Sequence, residues 1–150
     1  YKILDIGSLN LCGNPGGSYK ILFSNPNWTY HGMDLEAGPD VDIVGYENIK
    51  EKYDVIISGQ TLEHVKRPWE FMYNIRKYSS NIAIVCIIAP HQCKLHKYPY
   101  DCFRYLPDGM ESLFEYAGIA PLEIFMSDIP YDNDMGAPID TVAIGLCQTI

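Results

Sequence analysis

Ile3-Leu4-Asp5-Ile6-Gly7-Ser8 is the stretch that decides the fold. An apolar block carrying one carboxylate runs without polar alternation into a glycine and a serine. Strands buried under cover on both faces read this way, whereas strands with one wet face alternate. Beyond it lies a loop containing Gly13, Gly16 and Gly17, followed by a short helical pattern over Gly17–Ser24. A glycine turn at the carboxyl end of a buried strand is where open α/β sheets bind their ligands. Two further blocks of the same kind, Val55-Ile56-Ile57 and Ile82-Ala83-Ile84-Val85-Cys86-Ile87-Ile88, extend this to a parallel central sheet.

Working outward, β-rich runs recur at Lys2–Ile6, Trp28–Met33, Asp42–Val44, Tyr53–Ser58, Ile82–Ile88, Leu122–Met126 and Thr141–Cys147. Helical patterns separate them, as the crossovers between parallel strands require. Pro68–Ser79 opens on a first-turn proline, and Pro107–Ala117 does the same, with Asp108 and Glu111 towards its start and Gly118 as a stop. The charged segment from Val44 to Tyr53 has room for one helical turn or a loop. The Pro-, Asp- and Gly-rich stretch Asp128–Pro138 reads as a connection between antiparallel neighbours.

The 150 residues suit a single domain spanning 1–150. Eleven Lys and Arg against nineteen Asp and Glu leave a net charge of −8, which repels phosphate backbones and anionic membranes. The densest basic stretch, Lys94 to Arg104, is broken by Asp101, so non-specific nucleic-acid binding is not expected. The longest apolar run, Ile82 to Ala89, is far too short to cross a bilayer. Five cysteines, odd in number and in apolar surroundings, fit reduced thiols and a cytoplasmic setting. Opening directly on a core strand, the chain suggests an N-terminal helix that is absent or belongs to a longer protein.

The second strand ends in His31-Gly32-Met33-Asp34, which places a carboxylate at the tip next to Gly7. An acid there can accept both hydroxyls of a ribose. Alone, Asp34 could equally be a loop or capping aspartate; together with Asp5 and Gly7 it reads as half of a nucleotide site. The loop Gly7-Ser8-Leu9-Asn10-Leu11-Cys12-Gly13 lacks the later glycines of G-x-G-x-x-G, and no G-x-x-x-x-G-K-[ST] occurs. That leaves a ligand with an adenosine and a polar tail that is not a pyrophosphate.

These residues resemble the class I S-adenosylmethionine-dependent methyltransferases, in particular the small type 11-like group. Leu4-Asp5-Ile6-Gly7-Ser8 resembles their first motif, Gly32 to Asp42 the ribose-binding segment and third strand, and Tyr53 to Val65 the fourth motif with its Leu62-Glu63-His64-Val65 signature. Leu9 and Leu11 depart from the usual glycines. A G-S-x-D-V-N-G-S-Y-R variant of that loop is similar to Gly7 through Gly13 and Gly17-Ser18-Tyr19-Lys20. The resemblance implies a Rossmann-like α/β three-layer fold with a seven-stranded, mostly parallel sheet in the order 3-2-1-4-5-7-6, the last strand antiparallel. It implies S-adenosylmethionine as cofactor, with Asp5, Gly7 and Ser8 at the methionine end, Asp34 on the ribose, Leu35 against adenine, and Gln60 and His64 shaping the methyl-donor pocket.

The loop after the fifth strand, Pro90 to Tyr105, concentrates His, Tyr, Asp and Arg where substrate chemistry is expected. In the resembling group a His-x-Tyr-Pro-x-Asp-x-x-Arg-Tyr stretch stands here, matched by His96, Tyr98, Pro99, Asp101, Arg104 and Tyr105. His91 or His96 could take an acceptor's proton, Asp101 could orient a histidine or the substrate, and Arg104 could hold an anion. The plainer alternative is a structural lid with Asp101 and Arg104 paired. His91, Cys93, His96 and Cys102 match no compact zinc spacing, so no metal is expected. The leading expectation is thus a methyltransferase for a small-molecule or glycan-like acceptor. The competing readings are a catalytically silent domain used for binding and, disfavoured by the missing glycines, a nicotinamide-dependent oxidoreductase.

Overall fold

The computed structural model describes residues 1–11, 13, 17–128 and 139–148. Cys12, Gly16 and most of the Asp128–Pro138 connection lie outside the described residues. Seven strands form one sheet: β1 (Lys2–Ile6), β2 (Thr29–Asp34), β3 (Ile43–Val44), β4 (Tyr53–Gly59), β5 (Ser79–Gln92), β6 (Ala120–Met126) and β7 (Ile139–Gln148). Their order is β3-β2-β1-β4-β5-β7-β6. All neighbours pair in parallel except β7, which runs antiparallel to both β5 and β6.

Leu4 stands opposite Ile56, Ile56 opposite Val85, and Val85 opposite Gly145, so one row of side chains points to one face across the sheet. Two helices cover that face, α1 (Pro68–Tyr78) and α2 (Pro107–Tyr116). Each starts on a proline whose missing N–H costs nothing in a first turn. Phe71, Met72 and Ile75 of α1 and Met110 and Phe114 of α2 join Leu4, Ile6, Ile56, Val85, Ile87, Ala143 and Cys147 in the main core. Gly145 is the small member of the row, leaving space that Phe114 and Ile119 fill.

The opposite face is covered unevenly. A single 3₁₀ turn, Tyr19–Phe23, capped by the Ser18 hydroxyl, takes the place of the expected Gly17–Ser24 helix, and its Phe23 packs on Tyr30 over β2. Ile3 and Ile57 are buried on this side, but Ile82 is 70% and Ile84 38% exposed. The continuous apolar block of β5 is therefore sealed on one face only. The crossover between β3 and β4 is a 3₁₀ turn, Tyr46–Asn48, as its length allowed. Among the described residues no helix is long and apolar enough to cross a membrane.

Candidate functional site

The carboxyl ends of β1, β2, β4 and β5 meet at one edge of the sheet. At the tip of β1 the chain turns through Gly7 at φ +83°, and a Cβ there would run into the Thr61 side chain, so the turn admits glycine alone. The Gly7 and Ser8 N–H groups both donate to the Met33 carbonyl, at 2.8 and 3.1 Å, locking the β1 tip to β2. Ser8 Oγ donates to the Asp40 carbonyl (3.1 Å) and Asn10 Nδ2 to the Asp40 carboxylate (3.0 Å), tying the loop to the segment after β2.

Asp34 closes this turn from the other side. Its Oδ1 accepts from the Leu35 and Glu36 N–H groups (2.7 and 3.2 Å), and its Oδ2 accepts from Leu9 N–H (3.2 Å). Leu35 stands next to it with 70% of its surface open, an apolar platform beside a carboxylate. At the tip of β4 the Tyr19 ring lies on Gly59 so closely that no side chain could grow there. Gln60, at φ +53°, donates its N–H to the Ile88 carbonyl (2.9 Å) and joins the tips of β4 and β5.

Asp5 is the charged group under this turn. It is buried at 2% exposure, and Tyr30 Oη donates to it at 2.5 Å. Loss of hydration raises the carboxyl pKa to about 6 against the opposing pull of the Tyr30 hydrogen bond, and Asp34 and Asp40 add a like-charge push. The same pair raises the Tyr30 hydroxyl above its ordinary value, burial being the larger cause.

A second group of side chains gathers where the 3₁₀ turn Leu62–His64 meets the loop after β5. The loop is clasped by backbone: Cys102 and Phe103 N–H donate to the Glu63 carbonyl (2.7 and 3.3 Å), and Tyr105 N–H donates to the Pro90 carbonyl (3.0 Å). Tyr105 Oη reaches the Leu62 carbonyl, and Thr141 Oγ1 donates to the Tyr105 carbonyl. Within the loop, the Arg104 guanidinium grips Asp101 with two nitrogens (2.5 and 2.9 Å) and also donates to the carbonyls of Cys93, Lys94 and Phe103. Asp101 accepts from His96 N–H as well (2.8 Å). Arg104, with help from that N–H, holds the Asp101 carboxyl well below the usual carboxylate range despite its desolvation.

Glu63 lies beneath the loop with a wholly buried side chain, and neither carboxylate oxygen has a hydrogen-bond partner among the described residues. Burial raises its pKa to about 7, with Asp140 adding to the rise. His64 Nε2 stands 3.6 Å and His96 Nε2 3.9 Å from Glu63 Oε1, the two rings meeting edge to face. Burial lowers the His64 pKa against the hydrogen bond its Nδ1 makes to the Tyr100 carbonyl.

No protein-family model matches the sequence, and no curated protein matches it significantly. Solved structures do match in three dimensions. A SAM-dependent methyltransferase of Methanosarcina mazei superposes with a TM-score of 0.74 at 10% identity, over 99% of this chain and 93% of that one. The 1,6-didemethyltoxoflavin-N1-methyltransferase of Burkholderia thailandensis, with S-adenosylhomocysteine bound, gives 0.74 at 11% identity over 99% and 71%. A SAM-dependent methyltransferase from Aquifex aeolicus gives 0.67 at 14% over 97% and 81%. The fold is that of the class I methyltransferases.

In this methyltransferase fold the sequence-predicted residues fall into two groups. Asp5, Gly7, Ser8, Asp34 and Leu35 line the β1–β2 edge, with Gln60 on the neighbouring strand tip. His64 belongs instead with His96, whose backbone Asp101 holds and Arg104 braces through Asp101. His91 makes no hydrogen bond to either group, and its Nδ1 is buried without a partner among the described residues. Reading the sequence left out Tyr30, Asp40, Thr61 and, above all, Glu63. The signal for Glu63 was present in Leu62-Glu63-His64-Val65, where an acid directly follows a buried strand.

Proposed function

We propose that the chain is an S-adenosylmethionine-dependent methyltransferase acting on a small-molecule or glycan-like acceptor. One observation carries the reading: the Gly7–Ser8 turn, Asp34 and the exposed Leu35 converge at the β1–β2 edge of a sheet ordered like that of the class I methyltransferases. These residues suit the cofactor. A glycine turn held against Thr61 brings the strand tip close to the ligand edge, the strand-tip carboxylate keeps a lone pair on Oδ2 for a ribose hydroxyl, and an open leucine offers an adenine a dry face.

When bound, S-adenosylmethionine supplies a methyl group on a sulfonium; the acceptor's lone pair forms the new bond to carbon as the carbon–sulfur bond breaks and its electron pair stays on sulfur. The chain's task is chiefly alignment. Asp34 fixes the nucleoside, Asp5 offers negative charge to the cationic end once ionised, and the Tyr19 ring closes over the β4 tip. On the acceptor side, Asp101 and Arg104 act as positioning residues, because their mutual grip holds the loop that presents His96. The decisive test is calorimetry with S-adenosylhomocysteine and with NAD. Saturable binding of the first alone, weakened in Asp34→Ala, supports the reading; binding of NAD alone, or of neither, overturns it.

A further inference from the structure

Glu63, His64 and His96 present an unresolved electrostatic problem. His64 Nδ1 faces the Tyr100 carbonyl at 2.6 Å and His96 Nδ1 faces the Lys94 carbonyl at 3.1 Å. A carbonyl only accepts, so each Nδ1 carries the proton and each Nε2 carries a lone pair. Both Nε2 atoms lie near Glu63 Oε1, at 3.6 and 3.9 Å, and one ligand atom from each of the three residues lies within 4.8 Å of the others. With both rings neutral and Glu63 ionised, three lone-pair donors converge, and the carboxylate has no exposure and no hydrogen-bond partner among the described residues. The Asp140 carboxylate, whose Oδ1 is likewise buried and without a partner among the described residues, adds negative charge nearby.

We propose that Glu63, His64 and His96 bind a divalent transition cation of the zinc class through two imidazole Nε2 atoms and one carboxylate oxygen. Imidazole with carboxylate is a donor set that zinc accepts, with three protein ligands and a fourth position left open. Nδ1–H groups pinned on carbonyls are the outer partners that orient metal-ligating histidines. Tetrahedral bonds of about 2 Å put ligand atoms about 3.3 Å apart, so the two separations from Glu63 Oε1 must close by about 0.3 and 0.6 Å, and the two histidine nitrogens, within 4.8 Å of each other, by up to about 1.5 Å. His96, on a loop, can supply that movement. Cys93 stays outside the set because its Sγ lies on the Nδ1 side of His96, at 3.6 Å. Neither Cys93, Cys102 nor His91 belongs to this donor group, so the proposed site differs from the zinc set weighed from sequence and departs from the expectation of no metal by including Glu63. A proton shared with the carboxylate is the competing occupant.

The open position falls on the histidine side, where His64 and His96 retain 14% and 22% side-chain exposure while Glu63 retains none. On the methyl-transfer reading, on which this step alone rests, an acceptor hydroxyl bound there would lose its proton more readily to solvent and become the better nucleophile.

Protein stripped with a chelator, then dialysed against zinc chloride or cobalt chloride, tests the site without any acceptor. One metal per chain by elemental analysis, a tetrahedral cobalt absorption band and a raised melting midpoint are expected. Glu63→Gln and His96→Ala should each weaken zinc binding by more than the 10–100-fold that loss of a mere outer partner costs. His31→Asn, on β2, should leave it unchanged. Should Glu63→Gln fail to fold, His96→Ala decides alone, since that residue sits on a loop. A parent that holds no stoichiometric metal overturns the proposal, and so do variants that bind as the parent does. A metal-free parent that Glu63→Gln stabilises would identify a proton as the occupant, which also overturns it. Titrating the same samples with S-adenosylhomocysteine reports on the cofactor reading separately, so either can fail while the other stands.

Discussion

Asp5→Asn is the substitution that most directly tests the cofactor edge, because the structure sets both its sign and its size. The Asp5 carboxyl is buried and its pKa rises from 3.8 to about 6 on folding. Folded protein therefore holds this proton more tightly than unfolded protein does, and stability falls as pH climbs from below 4 through 6. A rise of roughly two units at about 1.36 kcal/mol each puts the full cost of ionising the buried group near 3 kcal/mol, reached above pH 6. Roughly half of that is already incurred by pH 5, leaving about 1.5 kcal/mol to appear between pH 5 and 8. Asparagine cannot ionise, and its carbonyl can still accept from Tyr30 Oη.

Urea unfolding of parent and Asp5→Asn at several pH values between 5 and 8 isolates this group, since the other carboxylates cancel in the difference. The variant should gain on the parent from pH 5 to about pH 7 and then hold that lead, while its affinity for S-adenosylhomocysteine, whose amino group is cationic, should fall most above pH 6. Parallel stability curves for the two proteins would refute the assignment of a raised pKa to Asp5. Unchanged affinity at pH 8 would refute its place at the cofactor's cationic end.

Three further outcomes follow from named contacts. Asp34→Ala removes the acceptor for Leu9, Leu35 and Glu36 N–H as well as the ribose partner, so S-adenosylhomocysteine binding should weaken by about 2–3 kcal/mol in calorimetry; an unaltered constant removes Asp34 from the cofactor site. Gly7→Ala must carry a side chain at φ +83° and push Thr61 aside, a loss of about 1–3 kcal/mol or more by urea unfolding that a relaxed turn would not show. Asp101→Ala and Arg104→Ala should leave S-adenosylhomocysteine affinity within a few-fold of the parent yet speed proteolysis between Cys93 and Tyr105, and with His96→Ala lower transfer to the acceptor by about 10²-fold. Loss of cofactor binding in all three would place the loop in the cofactor site.

The sheet was legible because its evidence is local. Ile3-Leu4-Asp5-Ile6 and Val55-Ile56-Ile57 announce buried strands through their own composition, and Pro68, Pro107 and Gly118 mark helix ends through their own backbone limits. What composition cannot show is which face a neighbour covers. Ile82 and Ile84 are as apolar as Val85 and Ile87, yet only the latter two point under α1 and α2. The Tyr19–Phe23 segment has helical residues, but a single 3₁₀ turn capped by Ser18 is all that forms. That Gly7 turns the chain at the tip of β1 and Asp34 ends β2 was readable for the same local reason as the strands. The convergence on Glu63 was not: His96 lies 33 residues downstream, and the bonds of Cys102 and Phe103 N–H to the Glu63 carbonyl and of Tyr105 Oη to the Leu62 carbonyl bring the two together.

That contrast bears on how this chain shares a fold at 10–14% identity with the neighbours described above. The β1–β2 edge is assembled largely from backbone: Gly7 and Ser8 N–H on the Met33 carbonyl, and Leu9, Leu35 and Glu36 N–H on one carboxylate. Backbone groups survive almost any substitution, provided that a glycine holds the turn and an acid ends the strand, so an edge of this kind tolerates wide sequence drift. The group around Glu63 is built from side chains, and replacing any one of Glu63, His64 or His96 changes its charge or its donor atoms outright. On the methyltransferase function proposed above, selection for a new acceptor can act on the loop after β5 while leaving the β1–β2 edge intact, the two being linked by the short run from Gly59 through Thr61 to Glu63. Exchange of that loop between chains of this fold should accordingly move acceptor choice and metal content together, without moving cofactor affinity.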